Sequence, residues 1–143
     1  MARFMRMIFN PQHVYLVAFL AGVLLASCNA RGAELIVHGP SHHFDNTDYN
    51  SATYGLGYRF DNNVVVGSYK NSIDRQSVYG GYLLQANRYV GLLVGAVTGY
   101  EQHTVWPAAV LVLTAPISKS FNLHLNLAPV NGGFINLSVG VKL

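Results

Sequence analysis

Hydrophobic and polar residues alternate with a period of two along most of the chain beyond residue 33. In Ser51 to Phe60 one face carries Ala52, Tyr54, Leu56, Tyr58 and Phe60, and the other carries Thr53, Gly55, Gly57 and Arg59. Near the end, Ile135, Leu137, Val139, Val141 and Leu143 oppose Asn136, Ser138, Gly140 and Lys142, and Phe121, Leu123, Leu125 and Leu127 oppose Asn122, His124 and Asn126. Successive side chains of a strand point to opposite faces, so each such run predicts a β-strand with one apolar face. The pattern predicts eight strands, over 33–39, 51–60, 63–70, 75–86, 88–97, 105–115, 119–128 and 133–143.

Eight strands are enough to close a small barrel. Short turns at Asp61-Asn62, Asn87 and 116–118 alternate with longer links at 40–50, 71–74, 98–104 and 129–132, the arrangement of outer-membrane barrels. Alternation does not say which face meets solvent, since a lipocalin-like barrel alternates with its apolar face inward. The polar face is mostly Gly, Ser, Thr and Asn, which suits a narrow interior better than a water-exposed exterior rich in Lys and Glu. The expected fold is therefore all-β, an eight-stranded antiparallel transmembrane β-barrel. Its lipid face would carry Tyr54, Tyr58, Phe60, Tyr82 and Phe121 as part of an aromatic girdle.

Composition agrees. Only 10% of the 143 residues are charged and 51% are hydrophobic, where ordinary soluble proteins carry roughly 25% charge. Such figures exclude intrinsic disorder. One cysteine, Cys28, excludes an intramolecular disulfide and cysteine-paired zinc sites.

Arg3 and Arg6 precede an apolar run from Val14 to Ala26, so residues 1–27 read as a signal peptide, too short in its apolar part to span a bilayer. Leu25-Ala26-Ser27-Cys28 resembles a bacterial lipobox, which marks Cys28 as a lipidation site and 28–143 as a single outer-membrane barrel domain. The alternative is ordinary cleavage after Ala30 or Ala33. Without residues 1–27, seven basic residues face six acidic ones, so no basic stripe remains and no nucleic-acid partner is expected.

With both termini periplasmic, the long links share one rim. There His38 closes the first strand, His42 and His43 follow in the first long loop, Lys70 to Arg75 form the tip between strands three and four, and His103 lies in the third outer loop. A histidine and a serine on one rim suit acyl transfer, because imidazole can take a hydroxyl proton during attack on an ester. Solvated loop residues are the plainer account of the same positions. Metal capture by His38, His42, His43 and His103 with Asp45 or Asp48 has suitable ligand types on loops of unspecified geometry; neither a metal nor a cofactor is expected.

Several short motifs in consistent order resemble the lipid A palmitoyltransferase family (PagP), outer-membrane barrels that move a palmitoyl chain from a phospholipid to lipid A. They are Leu35-Ile36-Val37-His38, Tyr49-Asn50 before Gly55-Leu56-Gly57, Lys70-Asn71-Ser72, Gly81-Tyr82, Pro107 with Val110 to Leu113, Ala128-Pro129, and Asn131-Gly132. The resemblance implies His38 as the essential histidine and Ser72 as the loop serine. Asn71 stands where the family has an aspartate, leaving an amide able only to orient the imidazole or to donate to an oxyanion. It implies a phospholipid donor, lipid A as acceptor and a monomer embedded in the bacterial outer membrane. Gly55 and Gly57 would leave room for the acyl chain, and Leu83, turned inward where the family has a small residue, would form a raised pocket floor. The alternative is a non-enzymatic small barrel whose outer loops bind a partner or mask a surface receptor.

Overall fold

The computed structural model of the chain describes residues 32–44, 49–100, 103–129 and 133–143. The expected signal peptide, residues 1–27, and Cys28 lie outside the described residues. The regular elements within them are eight strands: β1 (Glu34–His43), β2 (Gly55–Arg59), β3 (Val64–Lys70), β4 (Gln76–Gln85), β5 (Val90–Tyr100), β6 (His103–Pro116), β7 (Phe121–Ala128) and β8 (Phe134–Lys142). Each pairs antiparallel with the next, and β8 pairs with β1 to close the barrel.

Register fixes which side chains enter the barrel. Glu34, Ile36 and His38 pair with Arg59, Gly57 and Gly55, and these with Val65, Gly67 and Tyr69, all on the inner face. The inner set continues through Ser77, Tyr79, Gly81 and Leu83 on β4. The outer face is apolar and exposed, with Val37, Val78, Leu84, Leu92, Leu137 and Val139 spread over the wall. Tyr54 lies toward the long-loop rim and Tyr82, Tyr89 and Phe121 toward the short-turn rim, all exposed. Tyr58 shares the outer face with Leu35 and Val66, as expected, but its side chain is fully buried there, its ring edge-on to Phe60 at 4.8 Å.

The inner face is not uniformly small and polar. Val65, Leu83 and Val112 form a buried apolar cluster with Ile36, Leu93 and Val110 packed against it. Across the lumen, Glu34, Asn122, His124, Asn136 and Ser138 form a buried polar wall on β1, β7 and β8.

Three boundaries differ from the alternation pattern. β1 runs past His38 to His43 through a register shift at Gly39-Pro40; Pro40 has no N–H to give the ladder, so the strand bulges and then resumes. His42 and His43 therefore belong to a strand and not to a loop. β5 and β6 absorb most of the expected loop at 98–104, pairing Thr98 with Val105 and Tyr100 with His103, as these β-branched and aromatic residues favour extended backbone. β2 is shorter than its alternation, although residues 51–54 stay tied down by Lys70 N–H to Tyr54 O and Ser41 N–H to Ser51 O, both 2.9 Å. The turn before β3 places Asn63 at φ 65°, a left-handed position that asparagine tolerates.

Candidate functional site

His38 points into the lumen, where its Nε2 shares a 2.7 Å hydrogen bond with the Tyr79 hydroxyl. The two rings meet edge-on with centroids 5.5 Å apart, and Tyr69 tilts against both at 6.0 and 5.9 Å. The Tyr69 hydroxyl lies 3.1 Å from that of Tyr100. A layer of aromatic rings thus crosses the lumen around the histidine.

The two glycines expected to leave room for an acyl chain are filled otherwise. A Cβ at Gly55 would run into the Ser68 carbonyl and Tyr69, and one at Gly57 into the Tyr79 hydroxyl. Gly55 permits close approach of β3, and Gly57 makes way for a tyrosine. Leu83 does line the lumen cavity, and its methyl group lies over Gly91, where an added Cβ would come within 2.9 Å.

Asn71 is fully buried in the β3–β4 link and all its hydrogen-bonding positions are engaged there. Its Nδ2 donates to Ser77 Oγ and Gly99 O, both at 3.0 Å, while its Oδ1 accepts from the N–H groups of Ile73 at 3.1 Å and Arg75 at 2.9 Å. An amide has two donors and two acceptor lone pairs, so nothing is left for His38. The orienting role expected of Asn71 is occupied by bracing the loop. Ser72, next along, is nearly buried, and its carbonyl accepts the Asn50 N–H at 2.9 Å. Asp74, at φ 61° on the tip, binds Lys70 Nζ and Asn50 Nδ2, each at 2.7 Å. The Lys70 hydrogen bond, followed by that of Asn50, holds its carboxyl below the usual carboxylate range.

A cavity of about 450 Å³ occupies the lumen, within the about 300–1,000 Å³ typical of small-molecule sites. His38, Ser72, Ile73 and Tyr49 border it toward the long loops, Leu83, Leu93, Val110 and Trp106 along one wall, and Glu34, Arg59 and His124 toward the short turns. His38 and Ser72 thus face one space, and among the described residues no hydrogen bond joins them.

The deep end is lined by an ion cluster. Glu34 is fully buried; its Oε2 lies 3.1 Å from Arg59 NH2 and its Oε1 3.1 Å from His124 Nε2. Asn122 Nδ2 donates to the same Oε1 at 2.6 Å, and Thr114 Oγ1 lies 3.0 Å from His124 Nδ1. Sequence reasoning missed this cluster and Tyr79. The available signals were an acid at an inward position of the first strand and two inward glycines, Gly57 and Gly67, leading toward an inward tyrosine.

Of the remaining histidines, the His42 ring packs on Phe44 at 5.4 Å, and His43 on Tyr49 at 4.6 Å and Phe134 at 5.6 Å. Among the described residues no three His, Cys, Asp or Glu side chains converge on a metal position; Asp45 and Asp48 lie outside them, as does the side chain of His103.

No family model matches the sequence, and no curated protein matches it. Among solved structures the fold is similar to the solution structure of the de novo designed TMB2.3, 16% identical, with a TM-score of 0.55 over 81% of this chain and 98% of that one. The outer membrane protein Ail of Yersinia pestis, in a phospholipid bilayer nanodisc, is 18% identical with a TM-score of 0.48, over 79% of this chain and 100% of that one. The likeness is one of fold: a closed, eight-stranded antiparallel barrel. The resemblance to the palmitoyltransferases rests on the motifs quoted above.

Proposed function

We propose that the protein is a monomeric lipid acyltransferase of the bacterial outer membrane, moving a fatty acyl chain from a phospholipid to lipid A. The observation that supports this best is the lumen itself, half apolar and bordered near its loop end by His38 and Ser72. Outer-membrane barrels ordinarily fill or hydrate a polar interior. Apolar side chains facing an internal cavity instead favour a hydrocarbon guest, at about 0.8 kcal/mol for each methylene withdrawn from water. The exposed apolar outer wall fits immersion in lipid, since a soluble monomer seldom exposes so extensive an apolar surface.

In this reading an ester bond of the phospholipid breaks and a new ester forms on a lipid A hydroxyl. His38 accepts the proton of the attacking hydroxyl and returns it to the departing lysophospholipid oxygen. Ser72 either attacks first, carrying the acyl group between the two lipids, or donates a hydrogen bond to the developing oxyanion. The test is expression in a Gram-negative host lacking its own palmitoyltransferase, followed by mass spectrometry of lipid A. Acyl addition should appear with the wild type and fall by about 100-fold or more in His38→Ala and in Ser72→Ala, while His42→Ala retains it. Wild-type addition surviving both of the first two changes would remove His38 and Ser72 from the mechanism.

A second reading is a non-enzymatic barrel whose outer loops bind a partner. The engagement of Asn71 in bracing the loop favours it. Unaltered lipid A in the same experiment would select it.

A further inference from the structure

His38 and Tyr79 stand on β1 and β4 with two strands between them, so three strand spacings of about 4.8 Å separate their backbones along the wall. A side chain crossing that distance must lie flat across whatever projects from the intervening strands. Here the inward positions beneath it are glycines. A Cβ at Gly67 on β3 would strike the Tyr79 ring, and one at Gly57 on β2 its hydroxyl, with His38 Nε2 only 3.3 Å from the same point. The tyrosine therefore lies in a lane of missing side chains that ends at the imidazole.

A histidine used as a base needs one tautomer and one ring orientation. In hydrolytic triads a buried carboxylate supplies both. Asn71 does not reach His38, and Glu34, four residues earlier on β1, is bound to Arg59, His124 and Asn122. The imidazole also has a hydrogen-bonding partner in Asn136 on β8, whose Nδ2 donates to the carbonyls of Gly39 and Pro40 at 2.9 and 3.3 Å and whose Oδ1 can accept from a ring N–H.

We infer that Tyr79 is a positioning residue of His38: its hydroxyl, brought across two strands by Gly67 and Gly57, anchors the Nε2 edge of the imidazole and so sets the tilt of the ring. The catalytic consequence rests on the acyl-transfer reading above; the positioning can be measured without it. Tyr79→Phe keeps the ring in its lane and removes only the hydroxyl. In ¹⁵N-histidine spectra of the detergent-solubilised protein, with His38 assigned by its loss in His38→Gln, the wild type should show a sharp, hydrogen-bonded His38 Nε2 resonance, and Tyr79→Phe should shift and broaden it. Turnover should fall about 100-fold, the cost of a misplaced reacting group, with KM nearly unchanged. Gly67→Ala, which lifts the ring, should reproduce both effects, and the double variant should be no worse than Tyr79→Phe, as for residues acting through one contact.

Wild-type histidine spectra and turnover in Tyr79→Phe would overturn the inference, as would a change confined to KM. Should Tyr79→Phe lose the heat-shifted gel mobility of a folded barrel, Gly67→Ala decides by the same readings. A wild type that transfers no acyl chain would defeat the acyl-transfer reading, and the histidine spectra would then settle the positioning role by themselves.

Discussion

Asn122 and Glu34, far apart in sequence, are joined by a 2.6 Å hydrogen bond that spans the closing seam of the barrel, from β7 over β8 to β1. Gly140 lies between them on β8, where a Cβ would strike the Glu34 carboxylate and His124. The first strand is thus bound to the last pair by a buried ion cluster as well as by its backbone ladder.

Glu34→Ala should be among the most destabilising single changes in the barrel. It leaves Arg59 without its carboxylate in a site where the side chain is 15% exposed, and removal of one member of a buried pair costs about 3–5 kcal/mol. Urea unfolding in micelles, followed by the fluorescence of the sole tryptophan, Trp106, should show a clear fall in midpoint. Gly140→Ala should act in the same direction.

In the acyl-transfer reading, Leu83 sets the depth available to a hydrocarbon chain. It packs with Val65 and Val112 and overlies Gly91, so Leu83→Gly opens the apolar wall at a stability cost of about 2–5 kcal/mol, typical of emptying a core leucine site. The wild type should transfer a chain shorter than palmitate and the variant one several carbons longer, both read by mass spectrometry of lipid A. Palmitate preferred equally by both proteins would contradict this.

Replacing Asn71 with the aspartate of the palmitoyltransferase motif should harm the protein. A carboxylate cannot donate to Ser77 Oγ or to the Gly99 carbonyl, both of which Asn71 Nδ2 now serves at 3.0 Å. Asn71→Asp should loosen the β3–β4 link, visible as faster amide exchange at Ile73 and Arg75, and should lower acyl transfer. An increase in transfer would show that the position is catalytic.

The Asp74 carboxyl at the loop tip is depressed by its hydrogen bond to Lys70. A depressed folded value means that the contact is fully present above the ordinary carboxylate value of 3.8 and is lost as pH falls through the still lower folded value. The side-chain amide of Asn50, which donates to the same oxygen, should report this as a titration centred below 3.8. Asp74→Asn should abolish that titration, and added salt should shrink the shift because the pair is exposed.

The alternation of residues such as Leu137, Ser138 and Val139 made the fold legible, because a period of two is a local property of each strand. It also turned Leu83 inward, where the structure has it lining the lumen. What alternation could not convey was anything that depends on the register of several strands at once. Tyr79 reaches His38 because Gly57 and Gly67 come side by side, and Glu34 meets His124 only after the barrel closes. The β5–β6 hairpin was misread for a different reason: Gly99, with φ 90°, reads as a loop residue although the strand continues through it. The role expected of Asn71 came from a motif position, which carries no information about the direction of its side chain.

The ion cluster around Glu34 also bears on permeation. Its members are buried or part-buried and bonded to one another along the adjacent strands β7, β8, β1 and β2 near the short turns, and an eight-stranded barrel has little interior width to spare around them. Ions entering from the loop end would meet hydrocarbon side chains along one wall and then the charged and polar side chains of this cluster. In a planar bilayer under voltage the protein should pass no measurable current, and Glu34→Ala, which opens that end, is the variant in which a leak should first appear.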